Sequence, residues 1–143
     1  PSPLVGQPAP ELTLTSLGGR EISLSDLRGE VVLVNMWATW CDPCRRELPF
    51  IQELHERRSD EGLAVLAINV GQTEDQIRGF IDDEGYTFAV LVDLQSRSMS
   101  AFHASGIPPV ALIDREGVVR HTRVGYGPGS DQELEEQVQA LLN

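Results

Sequence analysis

The chain has 143 residues, 41% hydrophobic and 23% charged, and a formal net charge of −11. This is a globular composition, long enough for one core, and its acidity excludes nucleic acid and anionic lipid surfaces, which are themselves polyanions. All 11 basic residues are arginine, and two cysteines are too few for a disulfide scaffold or a four-thiolate zinc site.

Four prolines (Pro1, Pro3, Pro8, Pro10) make the leading segment extended. Leu12 and Leu14, then Ile22 and Leu24, alternate with polar residues on either side of Gly18-Gly19, which predicts a hairpin. Residues 25–28, stopped by Gly29, read as one helical turn. Residues 31–34 are a continuous β-branched-rich run, expected for a strand buried on both faces. Cys41 and Cys44 follow, with Pro43 suited to a first helical turn. Leu48, Ile51 and Leu54 continue that helix, and Pro49 predicts a bend in it. Residues 63–70 form a second buried strand. Thr73 with Gln76 is a capping box ahead of Ile77, Phe80 and Ile81. Residues 88–92 predict a strand, 96–102 a short helix, and 110–113 with 118–124 a hairpin around Arg115-Glu116-Gly117. Residues 125–129 form a linker. Ser130 and Glu133 then read as a second capping box, opening a helix striped by Leu134, Val138, Leu141 and Leu142. The order predicts a mixed α/β sheet with helices on both faces, closed by an antiparallel pair. The longest nearly apolar run, 31–40, is about ten residues and too short to span a bilayer. With no initiator Met and no signal-like segment, a mature or trimmed product is expected, its signal peptide or membrane anchor removed.

The two cysteines carry the chemistry. A bridge across so small a loop removes little unfolded-state entropy, so it is a poor staple. At a strand-to-helix junction, however, the first thiol meets the helix N-terminus, whose N–H groups and dipole stabilise a thiolate. The second, one turn on, can resolve a mixed disulfide by intramolecular attack. Cys41 is thus expected to be an exposed nucleophile and Cys44 a buried resolver. Zinc would need two further ligands, but His55, His103 and His121 are scattered and read as ordinary surface or packing residues. A c-type haem would need His after Cys44, where Arg45 stands. Redox chemistry outweighs two idle core cysteines. No metal and no cofactor beyond the Cys41–Cys44 disulfide is expected. Asp82-Asp83-Glu84 and Glu133, Glu135, Glu136 read as solvated helix faces, and Trp37 as core.

The stretch Val34-Asn35-Met36-Trp37-Ala38-Thr39-Trp40-Cys41-Asp42-Pro43-Cys44-Arg45-Arg46-Glu47-Leu48-Pro49 strongly resembles the TlpA/ResA/CcmG-like branch of the thioredoxin superfamily. So does Gly106-Ile107-Pro108-Pro109-Val110-Ala111-Leu112-Ile113-Asp114-Arg115-Glu116-Gly117. Gly6-Gln7-Pro8-Ala9-Pro10 with Leu24-Ser25-Asp26-Leu27-Arg28-Gly29 is similar to that branch's N-terminal extension. The resemblance implies a single thioredoxin-like domain over 1–143: a mixed central sheet flanked by helices, an extension with a β-hairpin over 1–29, and a central αβ insertion. It implies that Pro108 is the cis-proline packed on the disulfide and that the Ile107 backbone pairs with an extended substrate. Trp40, Asp42 and Pro43 would border the same groove. It also implies that Glu47 is the carboxylate behind the cysteines, one whose partial burial raises its pKa and lets it accept the Cys44 proton.

The chain departs from the wider superfamily at Asn35, where general thioredoxins have a buried Asp, so the proton-accepting burden shifts to Glu47. Pro109 stands where the family has Thr, against the cytochrome-maturation subtype. Asp42 between the cysteines disfavours the Cys41 thiolate, partly offset by Arg45 and Arg46, which predicts a low-potential reductase of protein disulfides. The resemblance implies disulfide-containing clients, among them apocytochrome c and copper-site assembly proteins. It implies electrons from a membrane thiol carrier, an extracytoplasmic or periplasmic location, and action as a monomer. Two competing readings are a peroxiredoxin-like thiol peroxidase and a non-catalytic peptide-binding module. The first requires Pro at 34 and Thr at 38, where the chain has Val34 and Ala38; the second leaves the intact Cys pair unused.

Overall fold

Runs of β-branched and aliphatic residues without turn formers extend along Val31–Trp37 (β3) and Leu63–Val70 (β4), and these pair in parallel from Val31 with Leu63 to Trp37 with Asn69. A computed structural model describes residues 3–106 and 109–143. The other strands are Thr13–Ser16 (β1), Glu21–Ser23 (β2), Ala89–Asp93 (β5), Pro109–Ile113 (β6) and Val119–Val124 (β7). They form one seven-stranded sheet in the order β2-β1-β5-β4-β3-β6-β7. The three central strands β3, β4 and β5 are parallel, and the remaining pairings are antiparallel. This is the mixed sheet that the element order predicts.

The helices are Asp42–Arg58 (α1), Glu74–Glu84 (α2), Arg97–Ala101 (α3) and Ser130–Leu142 (α4). Strand alternation sends Val31, Leu33 and Trp37 to one face, where they pack with Leu48 and Ile51 of α1, Ile77 of α2, and Leu134 and Val138 of α4. Val32, Val34 and Met36 take the other face with Phe102, Leu12, Leu14 and Leu24. The leading segment is tied to the β6–β7 hairpin through Gly6 N to Val119 O, 2.8 Å, and Ala9 N to Gly117 O, 2.8 Å.

Several boundaries differ from expectation. Strand β3 runs three residues past Val34, because Asn35 in its middle is buried and held rather than being a breaker. The predicted turn lies at Leu24–Leu27 as a 3-10 helix. Helix α1 continues through Pro49, which removes the N–H that would bond the Arg45 carbonyl. The box at α2 is present: Gln76 N donates to Thr73 Oγ1 at 3.3 Å, and Thr73 N to Gln76 Oε1 at 2.9 Å. The second is not. Gly129, at φ +85°, caps α4, and the Ser130 hydroxyl turns back to accept from Gly127 N at 3.0 Å. A left-handed residue there suits glycine. Glu135 is also no free surface acid, since it accepts from Arg57 at 2.5 Å and Arg58 at 3.0 Å and so ties α4 to α1.

Candidate active site

Strand β3 ends at Trp37, and four residues later Cys41 caps α1 in an extended backbone conformation. Pro43 sits in the first turn, where its missing N–H costs no hydrogen bond. Cys41 and Cys44 form a disulfide with Cα atoms 5.2 Å apart, and the Cys44 amide donates to Cys41 Sγ at 3.3 Å. Both cysteines are buried, Cys41 at 4% exposed and Cys44 at 0%. The expected exposed Cys41 is therefore not found in this disulfide form, where its sulfur is bonded to the fully buried Cys44 and accepts from the Cys44 amide. Trp40 beside it is 66% exposed, while Trp37 is fully buried against Phe80 of α2, ring centroids 5.3 Å apart.

Asp42 is exposed and shared by two cations, Arg45 Nη2 at 3.1 Å and Arg46 Nε at 3.2 Å. These pairs are solvent-screened, yet they spread the Asp42 charge away from Cys41. Arg45 also donates to the Thr39 carbonyl at 3.1 Å. Thr39 is held from the far side by Gln72: its N–H donates to Gln72 Oε1 at 2.8 Å, and Gln72 Nε2 donates to Thr39 Oγ1 at 2.7 Å. Asn69 at the end of β4 donates to the same Gln72 oxygen at 2.9 Å. The loop that presents Cys41 is thus fastened to β4.

Glu47, one turn after Cys44, is fully buried. Its Oε2 accepts from Arg123 Nη2 of β7, and its Oε1 faces Asn35 Nδ2 at 3.4 Å. Burial pushes the Glu47 carboxyl up to about 7, with Arg123 pulling it down and Asp131 adding a smaller upward push. That is the value of a group able to exchange a proton near neutrality. The Arg123 guanidinium donates to the Gly125 carbonyl and lies over the Tyr126 ring, 5.8 Å from its centroid. The Tyr126 hydroxyl donates to both Asp131 oxygens at 3.0 and 3.1 Å, and burial together with Asp131 pushes its own pKa up to about 12.

Cys41 caps α1, and Cys44 and Glu47 follow it as buried residues of that same helix, with Trp40 and Asp42 exposed and Pro43 half-buried around the disulfide. Ile107 and Pro108 lie outside the described residues. Arg123 and Gln72 go unnoticed in the sequence. Arg123 reads as one polar residue in an edge strand until the register aligns Asn35 with Val110 and Val110 with Arg123. That row puts Arg123 on the α1 side of the sheet. Gln72 sits beside the Thr73 capping box and carries no signal of its own. Among the described residues, no cluster of three or more His, Cys, Asp or Glu is arranged to hold a metal ion, and no helix is long and apolar enough to cross a membrane.

Residues 5–122 match the model of the AhpC/TSA family. The thiol-disulfide oxidoreductase ResA of Geobacillus kaustophilus is 35% identical over 137 residues, covering 96% of this chain and 78% of its own length. A proposed thiol:disulfide interchange protein DsbE from Chlorobium tepidum superimposes with a TM-score of 0.92 at 31% identity, over 97% of this chain and 98% of that one. An exposed lipoprotein thioredoxin of Streptococcus pneumoniae does so with a TM-score of 0.80 at 25% identity, over 92% and 99%.

Proposed function

This chain belongs to the AhpC/TSA family and is a thioredoxin-fold thiol-disulfide oxidoreductase, and from that premise we propose that it works as a low-potential reductase of protein disulfides. In this reading the Cys41 thiolate attacks a client disulfide, forms a mixed disulfide, and expels one client sulfur as thiolate. Cys44 gives its proton to Glu47 and attacks Cys41 Sγ. The Cys41–Cys44 bond forms, the second client sulfur leaves, and two electrons have passed to the client. An external dithiol must then reduce the pair. The observation that carries the reading is a buried carboxylate with a pKa near 7 one turn beyond a helix-capping disulfide.

The low potential rests on Asp42 and Glu47, two carboxylates that oppose thiolate charge, although Arg45 and Arg46 reduce the effect of the first. Equilibration with a glutathione buffer should give a value well below the ~−120 mV of a strong oxidant such as DsbA; a value that oxidising would overturn it. Cys44→Ala should accumulate a Cys41 mixed disulfide with clients, detectable by mass spectrometry. A non-catalytic peptide binder would trap none. The peroxidase alternative has no Pro at 34 or Thr at 38, so peroxide-dependent turnover should be absent.

Within the same proposal, clients are extracytoplasmic proteins such as apocytochrome c or copper-site assembly proteins, the electron donor is a membrane thiol carrier, and the protein acts as a periplasmic or membrane-tethered bacterial monomer. The pneumococcal relative described as an exposed lipoprotein supports that location. Trapping with Cys44→Ala in cells identifies the clients directly.

A further inference from the structure

Glu47 does not sit alone in the core. Its two oxygens have different neighbours, and the difference assigns work to a residue on another element. From β7, Arg123 grips Oε2, and its side chain is only 18% exposed. That cation is itself held on three sides, by Glu47, by the Gly125 carbonyl and by the Tyr126 ring. From β3, Asn35 donates weakly to Oε1 at 3.4 Å, and its own Oδ1 has no hydrogen-bond partner among the described residues. A half-turn of that amide would let Asn35 Oδ1 accept from a protonated Oε1, so Asn35 can serve the carboxylate in both protonation states. The remaining ionisable groups around Glu47 are Asp131 of α4, which opposes its negative charge, and Tyr126, which donates its hydroxyl to Asp131.

We propose that Arg123 is a positioning residue for the proton-transfer step: it keeps Glu47 ionisable inside the core, pins Oε2, and leaves Oε1 on the Asn35 side as the atom that takes the Cys44 proton. The inference rests on Glu47 acting as proton acceptor, and it adds a residue contributed by the far hairpin. The physical need is plain. An unpaired carboxylate in this setting would be driven to its neutral form by desolvation and could not accept a proton. A guanidinium stays charged throughout the working range and fixes a carboxylate oxygen in a planar contact. Arg123 supplies the charge and leaves Glu47 near the middle of its titration.

The test uses the full chain, reduced and mixed with an aromatic disulfide that releases a coloured thiolate. The first release reports attack by Cys41 and the second reports resolution by Cys44. In the unaltered protein the second phase should accelerate with a midpoint at about pH 7, following Glu47. In Arg123→Gln that midpoint should rise by at least about one pH unit, slowing resolution at neutral pH by about fivefold or more, with the high-pH plateau retained. Arg123→Lys keeps the charge but not the planar contact, so its midpoint should fall between the two. A midpoint that ignores residue 123, or a slowing equal at every pH, overturns the proposal. If the Gln variant does not fold, an unchanged midpoint in the Lys variant overturns it equally. Glu47→Gln separates the two layers. Should it keep the pH limb, the proton-acceptor reading fails; should it lose the limb while the Arg123 variants do not move it, only the role of Arg123 fails.

Discussion

Glu47 has an ordinary pKa of 4.5, and in the folded protein burial holds it at about 7 in spite of Arg123. Between those values the folded state binds the extra proton. Its contribution to stability is therefore full below about pH 4.5 and is lost as pH rises through about 7. A shift of this size corresponds to about 3 kcal/mol. Replacing Glu47 with Gln keeps the shape and mimics the protonated form. Urea unfolding should find Glu47→Gln close to the parent protein at pH 4.5 and more stable than it at pH 8, by up to about 3 kcal/mol. A difference between the two proteins that does not grow with pH would count against the buried carboxylate. The same variant should resolve mixed disulfides slowly, so that stability is gained where chemistry is lost.

At the scale of elements, the loop that leads into the cysteine-bearing helix is held from two sides, by Arg45 of α1 and by Gln72 beyond β4. Thr39 is fastened to Gln72 by two hydrogen bonds, and Gln72 to Asn69 at the end of β4. In Gln72→Leu the Thr39 N–H and the Asn69 amide lose their acceptor inside a partly buried site, at a cost of about 2 kcal/mol. Amide exchange at Thr39 should quicken relative to the β4 core, and Cys41 attack should slow, while the Glu47-dependent pH midpoint stays in place. Exchange at Thr39 unchanged from the parent protein would remove Gln72 from this role. Much of this architecture was legible beforehand, because it is written in local signals. The strand at β4, the Thr73–Gln76 box and the Cys-Asp-Pro-Cys start of α1 each announce themselves within a few residues. The failures have two different causes, one local and one long-range. Ser130 and Glu133 have capping-box spacing, but Gly129 takes the left-handed cap and pre-empts them. Arg123 reaches Glu47 across 76 residues of sequence. Only strand register, which is a long-range property, reveals that contact.

The whole molecule carries −11 in formal charge, yet the rim of the site holds Arg45 and Arg46, both exposed and both leaning on Asp42. The two scales act at different distances. Far from the surface an approaching client meets the summed acidic field; at contact it meets the arginines and the exposed Trp40. The Debye length is ~30 Å at ~0.01 M ionic strength and ~3 Å at ~1 M, so the long-range contribution can be switched off by salt while the contact contribution survives. Two disulfide peptides of one sequence frame, one flanked by Arg and the other by Glu, isolate the effect. At low salt the cationic peptide should be reduced with a kcat/KM roughly tenfold higher, within the range by which steering raises encounter rates. The advantage should shrink steadily with added salt and nearly vanish at about 1 M, where the residual preference reports the arginines at the rim. A ratio that stays constant across the salt series would mean that client choice is made at contact by Trp40, Arg45 and Arg46. The −11 charge would then govern solubility alone. A ratio that inverts at high salt would show the rim arginines opposing the body's field, drawing acidic segments once the far field is screened.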